Sequence, residues 1–259
     1  MQEFNFIRHA EKMNEGEERC ALNESGLTLS QQEKWTNAVD RLNLEDPQIR
    51  FEALPKIEEL AKIICEKLPD RALLIFNSTD TPRTKLTADF LSTSVIEDAK
   101  KQGKDIRVAF IWEPKDKAKE DGSLMRVSES VGTPTMLRLM QEVEESNDDS
   151  LERYLTSGKG GFAHPKEDEL VMKAVNSDLA RGENSLFRKR AQVLRVQADR
   201  IKEKFTEKDL PLYFFGIGHH GSLVALDVAF NERTHYDSVD QIPQPLSVWS
   251  ANLNTENES

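Results

Sequence analysis

The chain has 259 residues, 46 of them acidic and 35 basic, for a net charge of -11, with 31% charged and 37% hydrophobic. That balance has the wrong sign for a protein that tracks a nucleic-acid backbone over a broad surface. A mean hydropathy of -0.61 with no long apolar run argues against a bilayer-spanning helix, and two cysteines without zinc-like spacing argue against a disulfide framework or a zinc site. The length suits one elaborated α/β domain over residues 1–259. The first residues lack the basic and apolar regions of a signal peptide, so a cytoplasmic location is expected.

Phe4, Phe6 and Ile7 read as a first strand, and Phe6-Ile7-Arg8-His9-Ala10-Glu11 sets Arg8 and His9 at its carboxyl end. A cation beside a nucleophilic imidazole suits phosphoryl chemistry. Residues 55–68 carry Ile57, Leu60, Ala61, Ile64 and Cys65 on one side, which predicts a helix covering the sheet with Cys65 buried. A second strand, Leu73-Leu74-Ile75-Phe76, runs into a Ser/Thr/Asp/Pro turn and a helix start carrying Arg83. Residues 105–112 alternate as a third strand and end at Glu113 beside Pro114.

Residues 114–181 are charged and helical in pattern, and are expected to form a cap or lid in which Met136 and Met140 pack rather than bind. Within it, Ser146-Asn147-Asp148-Asp149-Ser150 predicts a break before a helix at Leu151, capped by Asp149 or Ser150. Ser157-Gly158-Lys159-Gly160-Gly161 lacks the spacing of a phosphate loop and reads as a turn. Residues 184–205 follow as a long helix striped by Phe187, Ala191, Leu194, Ala198 and Ile201. Leu212 to Gly218 is another strand, ending in His219-His220 before a helix over 221–230 whose first amides are placed to face an anion. The tail, 252–259, is polar and expected to fray. Arg8, Lys12, Arg83 and Lys85 would supply a cationic patch at the strand ends, although Lys12 and Lys85 read first as solvated surface lysines, and His164 and His235 read as surface residues.

Three strand ends thus deliver Arg8, His9, Arg83 and His219 from distant parts of the chain, as open α/β sheets assemble their sites. At these segments the chain resembles the histidine phosphatase superfamily, the phosphoglycerate mutase-like proteins, whose first strand ends in Arg-His-Gly or Arg-His-Ala. Leu22-Asn23-Glu24-Ser25-Gly26-Leu27 is similar to the family's Leu-Thr-Glu-x-Gly, and Ser78 to Ala88 to its Ser-Pro-Leu-x-Arg-Ala-x-x-Thr-Ala. The turn differs: Arg83 stands five steps after Ser78 where the family has four, so a residue is inserted or Thr79 takes the serine's place. Gly182-Glu183-Asn184-Ser185 is similar to the Gly-Glu-Ser that opens a late helix. The last segment resembles Val-Ser-His-Gly-Gly-Val-Ile-Arg-Ala-Leu, with His219 as the counterpart of the family histidine and His220 where glycine is usual. His220 either contacts substrate or replaces that glycine structurally, its ring bonded to a nearby loop.

The resemblance implies a three-layer αβα sandwich with a mostly parallel central sheet and a helical cap insertion. It implies a phosphomonoesterase in which His9 is the nucleophile, Arg8, Arg83 and His219 hold the phosphate, and a carboxylic acid protonates the leaving group. Glu113, after the third strand, is the choice for that acid, since one family alternative, an acid directly after the late histidine, is here His220. No cofactor and no metal are expected. The substrate is expected to be a phosphorylated small molecule or a phosphoprotein, with no nucleic-acid or membrane partner, and the oligomeric state is unspecified. Two other readings stay open: a phosphoglycerate-type phosphomutase, although residues 13–21 do not resemble the mutases' Ser-x-Trp-Asn and Thr-Gly-Trp stretch, and a non-catalytic phosphate- or phosphopeptide-binding regulatory protein.

Overall fold

Five segments form one sheet, and the inner strands are near-continuous apolar runs because successive residues point to opposite faces and both faces are covered. The computed structural model describes residues 3–13, 20–79, 81–112, 139–140, 142, 167–205 and 210–251. Its strands are β1 (Glu3–Arg8), β2 (Arg71–Ser78), β3 (Asp105–Trp112), β4 (Leu212–Gly218) and β5 (Val248–Ala251), in the order β3-β2-β4-β1-β5. All neighbours pair in parallel except β5, which runs antiparallel to β1.

The two faces are covered by different helices. On one side Ile7, Leu74, Phe76, Phe215 and Ile217 pack against α1 (Leu29–Leu42), α2 (Ala53–Lys67) and α3 (Pro82–Lys101). On the other, Phe6, Ile75, Leu212 and Phe214 pack against α4 (Glu167–Leu179), α5 (Leu186–Phe205) and α6 (His220–Phe230). The result is the three-layer αβα arrangement that the resemblance implies. Phe76 and Phe215 stack across the strand pair at 5.1 Å between centroids, with 15° between their planes.

Local chemistry explains where several helices begin. Thr28 and Gln31 cap α1 reciprocally, the threonine hydroxyl accepting from the Gln31 amide while the Gln31 side chain accepts from the Thr28 amide. Pro82 supplies the fixed φ of the first turn of α3. The fully buried carboxylate of Asp178 accepts hydrogen bonds from the Ser185 hydroxyl and from the amides of Leu186 and Phe187, so it caps α5 from a different helix. Cys65 is buried on α2, as its spacing predicts.

Helix α1 and strand β5 were not anticipated from the sequence. The cap expected over 114–181 lies mostly outside the described residues, as do Met136, the segments 146–151 and 157–161, and the tail at 252–259. Its described end, α4, is packed into the same core as α5 and α6, together with Leu139 and Met140. Among the described residues no helix is long and apolar enough to cross a membrane.

The pairing of β1 with β4 leaves no room at one position. Phe6 stands opposite Gly216, and a Cβ on Gly216 would fall 2.3 Å from the Phe6 ring, which is fully buried. Gly216→Ala is therefore expected to lower the unfolding free energy by about 1–3 kcal/mol, as for overpacked cores, read from the urea midpoint. A midpoint equal to that of the parent would show that the ring has space to move.

Candidate active site

The sheet register decides which side chains meet. Arg8 lies opposite Gly218, and Ser78 opposite Ile217, so the carboxyl ends of β1, β4 and β2 stand side by side. His9 continues β1 and donates its amide to the Gly218 carbonyl at 3.0 Å, while Thr79 continues β2 and donates to the Ile217 carbonyl at 3.3 Å. His219 continues β4 and is the N-cap of α6. Arg83 sits in the first turn of α3, directly after the loop that leaves β2. These strand ends and helix starts converge as the sequence predicts.

The geometry selects one nitrogen of His9. Its Nδ1 lies 2.7 Å from the Ala10 carbonyl oxygen, which only accepts, so the hydrogen-bond network puts the proton on Nδ1 and the lone pair on Nε2. The Ala10 amide is held by Thr87 Oγ1 at 3.1 Å, and that hydroxyl donates to the Arg83 carbonyl at 2.7 Å, so α3 braces the His9 loop. The His9 and His219 rings meet edge-on at 5.0 Å between centroids. His219 Nε2 is 3.2 Å from Thr79 Oγ1, which also meets Thr84 Oγ1 at 2.9 Å. Thr79 is therefore the hydroxyl that reaches His219, while Ser78 ends β2.

His9 is 2% exposed, and Arg8 and Arg83 are each 5% exposed. Arg8 Nη1 donates to the Pro243 carbonyl at 2.5 Å and to Asp168 Oδ1 at 3.3 Å, and Arg83 Nη1 donates to Gln48 Oε1 at 3.1 Å. Gln48 lies in the α1–α2 loop at φ 59°, a left-handed conformation that few non-glycine residues adopt.

Three further residues join the site without having been singled out for it, Glu167, Asp168 and Gln48, and Lys12 takes the place in a cationic patch that was weighed below a solvated one. Lys12 is buried rather than exposed, its ammonium 2.8 and 2.9 Å from the two carboxylate oxygens of Glu167. A buried lysine keeps its charge only with such a partner. Glu167 and Asp168 open α4, and His220 lies against both, with Nε2 2.6 Å from Asp168 Oδ1 and Nδ1 3.6 Å from Glu167. The ring of His220 is thus bonded away from the strand end, to the start of α4. His235, expected at the surface, is exposed, and Lys85 is half-buried. Glu113 lies outside the described residues, as does His164; β3 stops at Trp112, opposite Ser78.

Electrostatics keep the imidazoles neutral. Burial, then Arg83, His219, Arg8 and Lys12, lower the His9 pKa well below its ordinary value. Burial, Arg83, Lys12, His220 and Arg8 do the same for His219. Burial and Arg8 bring His220 down to about 4, although Asp168 and Glu167 pull the other way. Burial would raise Glu167, but Lys12, His220 and Arg8 outweigh it and hold the carboxylate below its usual range. Asp168 is likewise held at about 2 against burial, by His220, Arg8 and Gln244. Burial lowers the Lys12 ammonium despite Glu167. Among the described residues no cluster of three or more His, Cys, Asp or Glu side chains is placed to hold a metal ion.

No family model matches the chain, and no curated protein matches it. Among solved structures it is similar to the phytase from D. castellii, at 11% identity over 94% of this chain and 68% of that one, with a TM-score of 0.44. It is also similar to the Hafnia alvei phytase in complex with tartrate, at 9% identity over 96% of this chain and 79% of that one, with a TM-score of 0.38.

Buried neutral histidines tie stability to pH with a definite sign. The unfolded chain protonates these imidazoles near 6.5, before the folded chain does, so their contribution is whole above that pH. It declines below it by up to about 1.4 kcal/mol per pH unit for each histidine, His220 ceasing to add to the slope below about 4. Asp168 acts in a lower window, its contribution lost only as the pH falls from 3.8 toward 2. Urea midpoints should therefore drop steadily from pH 7 to pH 5, and less steeply in His220→Gln. Midpoints independent of pH in that range would contradict the buried, neutral assignment.

Proposed function

We propose that the protein is a phosphomonoester hydrolase of the histidine phosphatase type, working through a phosphohistidine on His9 without a metal ion. The observation that carries this reading is the buried imidazole of His9 with its Nε2 lone pair free and with Arg8, Arg83 and His219 around it. A neutral nitrogen approaches a phosphate dianion without the repulsion that an anionic nucleophile meets, and burial together with the surrounding cations keeps it neutral.

In the first step Nε2 attacks phosphorus as the bond to the ester oxygen breaks, and the charge spread over the equatorial oxygens is met by the guanidinium groups. The departing alkoxide takes a proton from a carboxylic acid, for which Glu113 is the choice made from the sequence. Water then attacks the phosphohistidine and releases phosphate, so one hard displacement becomes two easier ones. Thr79, bonded to His219, fixes the orientation of that ring.

The test is hydrolysis of p-nitrophenyl phosphate in excess chelator from mildly acidic to neutral pH. Turnover should survive the chelator and vanish in His9→Ala, along with an acid-labile, base-stable phosphoenzyme. Arg83→Ala should lose about 10²–10³ in kcat, the scale for removing one electrostatic stabiliser. Turnover that requires a bisphosphorylated primer would make the protein a phosphomutase. Tight phosphate binding with no turnover would make it a binding protein.

A further inference from the structure

The phosphoryl reading leaves unused the two carboxylates that face its cations. Glu167 is committed, buried with both oxygens on Lys12. Asp168 is not: its side chain is 26% exposed, Oδ1 is shared between His220 Nε2 at 2.6 Å and Arg8 Nη1 at 3.3 Å, and Oδ2 accepts from Gln244 at 3.3 Å. The contact to Arg8 is single and long for a guanidinium and carboxylate, which favour paired bonds near 2.7–2.9 Å. The contact to His220 is the short one. An arriving tetrahedral dianion competes for the same guanidinium with more charge, while His220 retains Asp168 where it is.

The charges facing His220 are Asp168 and Glu167 from α4, Arg8 from β1, and the neighbouring His219. Burial opposes protonation of the ring most, and Arg8 is the fixed charge in that set that adds to it. Once an anion offsets Arg8, Asp168 faces the imidazole without that opposing charge, while Glu167 stays on Lys12 and burial alone still resists the proton. We propose that Asp168 is a positioning residue of the anion pocket, a built-in competitor for Arg8 that is left to His220 when a phosphate group binds, with a proton taken up at His220. The proposal rests on the phosphate-pocket reading above. It gives that pocket an affinity set by the start of α4 and tighter in acid.

Sulfate is the probe, because it is a tetrahedral dianion that does not itself titrate between pH 5 and 7. Calorimetric titration in buffers of different ionisation enthalpy counts the protons taken up per sulfate bound. The parent should bind more tightly as the pH falls, with proton uptake. Asp168→Asn should bind sulfate roughly five- to tenfold more tightly at pH 7, the scale of one removed charge competitor, with a flatter pH dependence, and Asp168→Glu should stay close to the parent. His220→Gln should bind sulfate without that uptake, which carries the test should Asp168→Asn fail to fold. Weaker or unchanged binding in Asp168→Asn would overturn the proposal, as would full proton uptake in His220→Gln, which would place the proton on His9 or His219. A parent that binds no sulfate, and so cannot be told from Arg83→Ala, would overturn the pocket reading itself.

Discussion

Burying Arg8, Arg83 and Lys12 beside His9 and His219 is the constraint on which the rest of this structure depends. A cation removed from water needs a compensating charge or a full set of acceptors, and without them the desolvation cost exceeds anything the pocket gains. Each cation here meets a different answer. Lys12 has the carboxylate of Glu167, Arg8 has the Pro243 carbonyl and a looser hold on Asp168, and Arg83 has the neutral amide of Gln48. The protein carries a large excess of negative charge, yet the partners at the site come from particular positions in the fold, because screening confines exposed charges to about 8 Å.

Those partners explain why the second helical layer is built as it is. Glu167 and Asp168 reach the strand ends only if α4 begins there, and α4 is held by an apolar stripe, Leu170, Val171, Ala174 and Val175, packed into the core shared with α5 and α6. The far end of α4 is fixed by Asp178, which caps α5. The helix therefore links a structural cap at one end to the charge balance of the site at the other. Displacing α4 along its axis would strip Lys12 and the α5 amides of their partners together, and both losses are of the expensive, buried kind.

The fold and the cationic half of the site were legible because each obeys a positional rule. Apolar runs at residues 4–7, 73–76 and 212–217 mark buried parallel strands, and Arg8, His9, Arg83 and His219 follow them at the ends where α/β sheets place their ligands. The balancing half obeys no such rule. Lys166-Glu167-Asp168-Glu169 is one charged run among many in a chain with 46 acidic residues, and nothing local separates the carboxylates that turn inward from Glu169, which pairs with Lys173 on an open face. Lys12 was read as solvated for the same reason, since its burial is decided by Glu167, 155 residues away. Helix α1 did carry a readable signal in its Thr28–Gln31 capping box, whereas β5 is four residues long and takes its pairing wholly from β1.

The cations thus act on the histidines and on a bound anion in one direction. Burial and the same field that would draw in a phosphate group hold His9 neutral, so the nucleophilic role proposed for it needs no dedicated base. The carboxylates work against that field, and their placement matters more than their number. Glu167 and Asp168 sit on the His220 side of Lys12 and Arg8, where they offset the cations while the hydrogen bonds of His9 run to Ala10 and Gly218 instead. Had either carboxylate bonded to His9, it would have raised the pKa that the cations lower and favoured the protonated form, which has no lone pair to offer. Keeping the anions on His220 lets the site bury its charge and leave His9 neutral, as its proposed role requires.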